Sequence, residues 1–173
     1  MGDAEETRWL DEQERQVWLA LTVLLTALPN ALDAQLQRDA GLSHFEYFVM
    51  AVLSESPDRT RRMSELAALS NGSLSRLSHV VSRLQRQGYV SRRPDPADGR
   101  TTLATLSEQG WEKVVVSAPG HVATVRQAVF DRLTKTQARY LKDACVRIES
   151  GLGVELPAEA FGSASRANRP DGA

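Results

Sequence analysis

The sequence predicts a mainly α fold with one small β-hairpin (α+β), and three observations carry that expectation. Apolar residues recur at helical spacing through most of the chain, with capping residues where each periodic stretch begins. Only after Gly88 does the period fall from about 3.6 to about 2, where a tip rich in Pro, Asp and Gly joins two short alternating runs. The length of 173 residues suffices for one domain with a core and an added oligomerisation arm.

Asp11-Glu12-Gln13-Glu14 reads as a capping box that opens a long helix. Its apolar stripe holds Val17, Leu21, Leu24, Leu28, Leu32 and Leu36, widened by Trp18 and Leu25. A helix from Asp11 to Asp39 would be ~42 Å long at 1.5 Å per residue, more than the core of so small a domain can cover. Part of the stripe is therefore expected to pack on a second subunit, with a kink or break at Pro29. Gly41 ends the segment, and Ser43-x-x-Glu46 is a second capping box with Leu42 and Tyr47 at the staple positions. The helix behind it carries Phe45, Phe48, Val49, Val52 and Leu53 and stops before Pro57. Arg61-Arg62-Met63 fits a short strand, Glu65 to Leu69 a brief helix, and Ser70-Asn71-Gly72 a turn. Ser73 is placed to cap a helix that ends at Gly88. Tyr89 to Arg93 and Arg100 to Leu106 form the hairpin strands. Ser107 caps a further helix running to Leu133, with a kink expected at Pro119-Gly120. A last helix from Thr134 sets Leu141, Cys145, Ile148 and Leu152 on one face. The divisions expected are 11–40 and 107–153 as dimerisation helices, 41–106 as the lobe between them, and 154–173 as a mobile tail.

Net charge is −1, but its distribution is uneven. Between Arg59 and Arg100 stand nine arginines and three acids, a surplus of +6, inside a frame of 12 basic and 19 acidic residues. A basic middle in an acidic frame points to one polyanion-binding surface. The helix after Ser73 has two distinct faces. With Leu77 at 0° and about 100° per residue, Leu74, Val81 and Leu84 fall within about 60° of it. Ser75, His79 and Arg86 lie on the opposite side, with Ser82 beside them and Arg76 and Arg83 flanking. Small hydroxyls permit close approach to a major groove, and Arg can pair bidentately with guanine. Ser73 marks a helix N-terminus whose free amides suit a phosphate. Alone, the pattern more often describes a solvated amphipathic helix.

The hairpin that follows changes the balance. Asp98-Gly99-Arg100 sets an arginine at a loop tip, where a guanidinium can enter a narrow minor groove. Arg92 and Arg93 can meet the DNA backbone, and Asp98, which would repel a phosphate, is placed to orient a nearby Arg. Helix, helix, tight turn, helix and hairpin together make a winged helix-turn-helix lobe, and the predicted ligand is double-stranded DNA.

Glu65-Leu66-Ala67, Ser73 through Leu84, Gly88-Tyr89-Val90, Asp98-Gly99-Arg100 and Leu106-Ser107-Glu108-Gln109-Gly110 resemble the multiple antibiotic resistance regulator (MarR) family. The likeness covers roughly residues 11–152, its specific motifs 64–110. Ser107 stands where Thr is usual and still caps a helix. Ser70 and Gly72 replace two usually apolar turn residues, which implies either a looser lobe core or a differently set turn and leaves the start of the reading helix open by a residue or two. The resemblance implies a triangular homodimer held by the first and last two helices, near-palindromic operators, repression of nearby genes, and release by a small aromatic or phenolic effector.

Trp18, His44, Tyr47 and Trp111 are the candidates to border such an effector cavity, although aromatics so placed are more often core. His44 is expected to be exposed at a helix start, and His121 to be structural. No histidine sits in a nucleophile elbow, zinc motif or phosphate loop, so neither catalysis, a metal nor a cofactor is expected. The single cysteine, Cys145, reads as an inert core residue ahead of a thiol redox sensor. A winged helix used for protein–protein contact is the remaining alternative, disfavoured by the basic reading face. No uninterrupted apolar run reaches the ~18 residues of a membrane span. The acidic start lacks a secretory signal, and a reducing cytoplasm is the expected location.

Overall fold

The computed structural model describes residues 7–70 and 73–153. Helix α1 (Glu12–Ala40) starts at the predicted capping box: Asp11 Oδ1 accepts the Glu14 N–H at 2.8 Å and Glu14 Oε2 accepts the Asp11 N–H at 3.0 Å. Gly41 ends it with φ +65°, a left-handed conformation that a Cβ disfavours. Helix α2 (His44–Ser54) begins at the Ser43/Glu46 box. A 3-10 turn at Pro57–Arg59 and strand β1 (Thr60–Arg62) lead into α3 (Met63–Leu69). Helix α4 (Leu74–Arg86) is capped by Ser73, whose Oγ accepts the Arg76 N–H at 3.2 Å. The reading helix thus starts where its cap residue predicts, with no shift. The other two turn residues, Asn71 and Gly72, lie outside the described residues, as does the expected tail at 154–173.

Strands β2 (Val90–Pro94) and β3 (Thr102–Leu106) form the hairpin, and β1 pairs with the far side of β3. The antiparallel sheet therefore has the order β1-β3-β2. Helix α5 (Glu108–Ala128), a 3-10 turn at Phe130–Arg132, and α6 (Lys135–Gly151), capped by Thr134 and Gln137, complete the described chain.

Neither proline breaks its helix. Both α1 and α5 run through Pro29 and Pro119 without interruption. Proline removes one donor and crowds one carbonyl, and here the flanking turns are anchored: α1 by buried Leu32 and Leu36, α5 by buried Val114 and Ser117. Helix α5 does end earlier than the pattern suggests, at Ala128. Val129 turns to φ −123°, ψ −69°, and an Arg126–Asp131 ion pair at 2.9 Å spans the turn that follows. Helix α1 also corrects the membrane expectation. It contains an 18-residue window of mean hydropathy 1.5, long and apolar enough by length and composition to cross a bilayer. Counting uninterrupted apolar runs overlooked it because Thr22, Thr26 and Asn30 punctuate the stretch.

One core organises the lobe. Leu36, Leu42, Met50, Leu53, Leu66, Leu77, Val81 and Leu84 are buried together with Val90, Ala104, Leu106 and Val114. Each fully buried Leu contributes roughly 1.5–3 kcal/mol of burial free energy. Leu36 from α1 and Val114 from α5 belong to this core, so both flanking helices are rooted in the lobe. Leu74 was expected on the core stripe but is 55% exposed. It sits at the first position of α4, at the edge of the stripe, beside the wing rather than under it.

The motif after the wing has a steric reason. Ser107 Oγ donates to Gly88 O at 2.6 Å and accepts the Gly110 N–H at 3.0 Å, joining the end of the reading helix to the start of α5. A Cβ at Gly110 would collide with the Tyr89 carbonyl and come within 2.7 Å of Leu106 Cδ1. Only glycine lets α5 start this close to the wing.

Candidate nucleic-acid interface

The reading face of α4 is built as the periodicity predicts. Leu77, Val81 and Leu84 are buried, while Ser73, Ser75, Arg76, His79, Arg83 and Arg86 are exposed. Around them the arginines divide according to what already holds them. Arg76 Cζ lies 4.6 Å from the centre of the Phe45 ring, so α2 supplies a platform for its guanidinium. Arg83 Nε lies 3.0 Å from Glu46 Oε1, an ion pair whose alignment falls short of a hydrogen bond. The Glu46 side chain is only 2% exposed, and its other oxygen accepts the Ser43 N–H. Arg83 was expected to meet phosphate; the pair gives it a structural task as well. Arg92 Nε donates to Gln85 Oε1 at 2.7 Å, which ties the wing to the reading helix. Arg86 and Arg93 are exposed with no acidic partner among the described residues.

At the wing tip, Asp98 performs the orienting role. Its Oδ1 accepts the Arg100 N–H at 3.1 Å and Arg100 Nε at 3.3 Å, and these bonds hold the carboxyl below its ordinary pKa. The Arg100 side chain is 94% exposed. The base of the wing is fastened separately: the nearly buried Asp95 receives Arg62 at 3.1 Å and caps the Ala97 N–H at 2.9 Å. Three of the nine arginines lie in the 59–62 segment and serve the scaffold. Arg59 pairs with Glu108 at 2.8 Å and lies 4.4 Å over Trp111, Arg61 donates to Ser56, and Arg62 meets Asp95. The surplus positive charge available to a polyanion is therefore concentrated on α4 and the wing.

The four aromatic and histidine candidates for an effector cavity do not converge. His44 and Tyr47 share a cluster with His121, whose ring is 4.6 Å from Tyr47 and 6.0 Å from His44. Trp111 instead stacks under Arg59, and Trp18 is 55% exposed on the free half of α1. His44 is half-buried rather than exposed, because its helix start docks on α1, where Asp33 Oδ1 accepts its N–H at 2.8 Å. Burial lowers the pKa of both histidines; Asp33 partly opposes the shift at His44, and His44 adds to it at His121. A cavity of about 340 Å³ does open beside His44, between Asn30 and Asp33 of α1, Phe45 and Phe48 of α2, and Arg76. Cys145 is exposed in the single chain, against the expectation of a core residue, because none of α6 is buried.

Sequence reasoning missed Glu46 as the anchor of Arg83, Phe45 as the platform of Arg76, and Gln85 as the partner of Arg92. Glu46 was legible only as a capping residue, since nothing local announces a partner 37 positions away.

Comparison with known proteins agrees with this geometry. A profile of the MarR family matches residues 40–101. Sco3205 from Streptomyces coelicolor, a MarR family transcriptional regulator solved in complex with DNA, is 44% identical, covers 90% of this chain and 95% of its own, and superposes with a TM-score of 0.83. AbsC, a MarR family transcriptional regulator from the same organism, is 34% identical over 86% of this chain and 100% of its own, with a TM-score of 0.81. YdcH of Bacillus subtilis, an uncharacterized HTH-type transcriptional regulator, is 33% identical over 78 residues, so the chain spans about half the length of that curated relative (52%). Likeness at 44% identity along nearly the whole of both chains goes beyond a shared fold: this chain belongs to the MarR family of transcriptional regulators.

Proposed function

We propose that the chain is a cytoplasmic, homodimeric repressor that binds a near-palindromic DNA operator and releases it when a small aromatic or phenolic ligand is bound. The observation that carries the reading is the pairing of an exposed polar face on α4 with an exposed arginine at the wing tip. Ser75, Arg76 and His79 then meet base edges in the major groove, and Arg100 enters the adjoining minor groove. Ser73, Arg86, Arg92 and Arg93 meet backbone phosphates. The likeness to Sco3205, solved in complex with DNA, supports the ligand class.

Dimerisation is supported by apolar surface that one chain leaves open: Val17, Trp18, Val23 and Leu25 on α1, and Tyr140, Val146 and Ile148 on α6 are each at least half exposed. An effector seat is supported by the cavity beside His44, where Phe45 and Phe48 offer ring contacts and Arg76 offers a cation. A ligand that engages Arg76 removes it from the operator.

Footprinting on the DNA upstream of the chain's own coding sequence, with and without phenolic compounds, tests the reading. Arg76→Ala should weaken operator binding by ~1–3 kcal/mol and flatten preference at one symmetric pair of positions. Arg86→Ala should lower specific and non-specific binding together, with a salt slope smaller by about 1. Half-sites about 10 bp apart are expected, since paired reading helices enter successive major grooves. Binding to duplex DNA that does not respond to salt would overturn the assignment.

A further inference from the structure

Three consecutive residues in the first turn of α2 contact different parts of the fold. His44 belongs to the flanking helices: its N–H donates to Asp33 Oδ1 of α1 at 2.8 Å, and its ring lies 6.0 Å from that of His121 on α5. Phe45 carries Arg76 of the reading helix, with 4.6 Å from ring centre to Cζ. Glu46 holds Arg83, further along the same helix, at 3.0 Å. The Ser43–Glu46 capping box makes this turn one stiff unit. A displacement of His44 therefore displaces the supports of two arginines on the reading helix.

The seat of His121 is tight. Tyr47 of α2 lies 4.6 Å from its ring. At the neighbouring Gly120, α5 approaches α1 so closely that a Cβ would stand 3.2 Å from Nε2 of the buried Gln35. His121 Nδ1 is buried with no hydrogen-bond partner among the described residues. An imidazolium donates from both nitrogens, so this ring can take up a proton only by leaving its seat. The charged groups around the pair do not remove that cost. From α1, Asp33 favours a charge on His44, while Asp39 is engaged by Gln35 at 2.9 Å. From α4, Arg76 lines the cavity beside His44 and disfavours a charge there. On α2, Tyr47 stays neutral, its pKa raised by burial and by Glu55, and a charge on His44 disfavours one on His121.

Resting on the reading of Arg76 as a base contact, we propose that the first turn of α2 couples the flanking helices to the reading helix. Proton uptake at the His44–His121 junction opens it, withdraws the supports of Arg76 and Arg83, and weakens operator recognition. Protons favour the open junction and DNA the closed one, so affinity is full above about pH 7 and falls as pH drops. His79 on the reading face acts the other way, since its protonation adds a positive charge facing the DNA.

The test uses the full-length chain and a duplex that it selects from a random-sequence pool, at constant ionic strength, with folding followed by circular dichroism. Wild type should remain folded and lose about tenfold in affinity between about pH 7.5 and about pH 5.5. His121→Gln, which retains His79, should match wild type within about twofold at the upper pH and lose less than about threefold at the lower. The reading side supplies a second arm. At the upper pH, Phe45→Leu should flatten base preference at the symmetric pair of positions that Arg76→Ala flattens, and Phe45→Tyr should restore it. Wild type at the lower pH should show the same flattening. An equal pH response in wild type and His121→Gln, unchanged base preference in acid, or unfolding before affinity changes overturns the coupling while leaving DNA binding intact. Failure of the wild-type chain to select any duplex, or unaltered preference in Arg76→Ala, overturns the underlying reading and the coupling with it.

Discussion

Glu46 shows how much one side chain can decide. It caps α2 with one oxygen and holds Arg83 of the reading helix with the other, while almost wholly buried. Arg83→Ala leaves that carboxylate buried without its counter-charge. Removing one partner of a buried pair costs about 3–5 kcal/mol, and because Arg83 is half exposed the expected loss is nearer ~1–3 kcal/mol, read by urea denaturation. Pairing it with Glu46→Gln should recover part of the loss. A full phosphate contact would instead reduce the salt slope with stability unchanged. The histidines give a second prediction at this scale. Burial keeps the pKa of His44 and His121 below the ordinary 6.5. Above that value both folded and unfolded chains carry neutral rings, and stability is full. As pH falls through it, the unfolded chain takes up protons that the folded chain resists, so stability declines. The urea midpoint should drop between about pH 7.5 and about pH 5.5, and His121→Gln should flatten that slope. A pH-independent midpoint would contradict the burial of these rings.

Among the elements, the wing shows most clearly what sequence can and cannot give. Its strands, its tip and the capping serine behind it were legible because each obeys a local rule: alternation, turn chemistry, and an N-cap three residues before a glycine. The third strand's partner was not legible, since pairing of Thr60 with Thr105 joins residues with no shared local pattern. Nor was the reason for Gly110, which became visible only when the Tyr89 carbonyl appeared against it. Gly110→Ala should therefore force α5 away from the wing, destabilise the fold by roughly 1–3 kcal/mol, and shift the wing relative to the reading helix. Stability to urea and DNA affinity should fall together; a fully stable variant would show that α5 has room to move. The prolines mark the opposite limit. A local rule allowed a break at Pro29, and tertiary anchoring of the flanking turns keeps both proline-containing helices continuous. Among the site residues, the outward face of α4 was readable from periodicity, whereas Leu74 misled because an angular criterion cannot tell the first turn of a helix from its middle.

At the scale of the whole chain, the exposed apolar surface among the described residues is spread over the free half of α1, the α5 positions Val116 and Val122, and the length of α6. Sedimentation should find a dimer at micromolar concentration, and removing residues 1–30 should give monomer or aggregate that no longer binds specific DNA. A stable full-length monomer would count against the arm. Cys145 reports on the same surface. Exposed in one chain, it lies on the face of α6 with Leu141 and Ile148, so its reaction with a thiol reagent should be slow in the dimer and quicken on dissociation.

The uninterrupted course of α1 through Pro29 has a mechanical consequence. Its C-terminal turns are fixed in the lobe at Leu32 and Leu36, and about 30 Å of the same rod projects back to Glu12. A lobe that tilts by about 5° carries the far end of that rod sideways by about 2.6 Å, more than close-packed side chains absorb without repacking. A hinge at the proline would have isolated the two ends; a stiff lever couples them. In the proposed dimer, with two chains gripping each other by these levers, the spacing of the two reading helices and the packing of the grip would be a single variable, and a small change at either end would be magnified at the other.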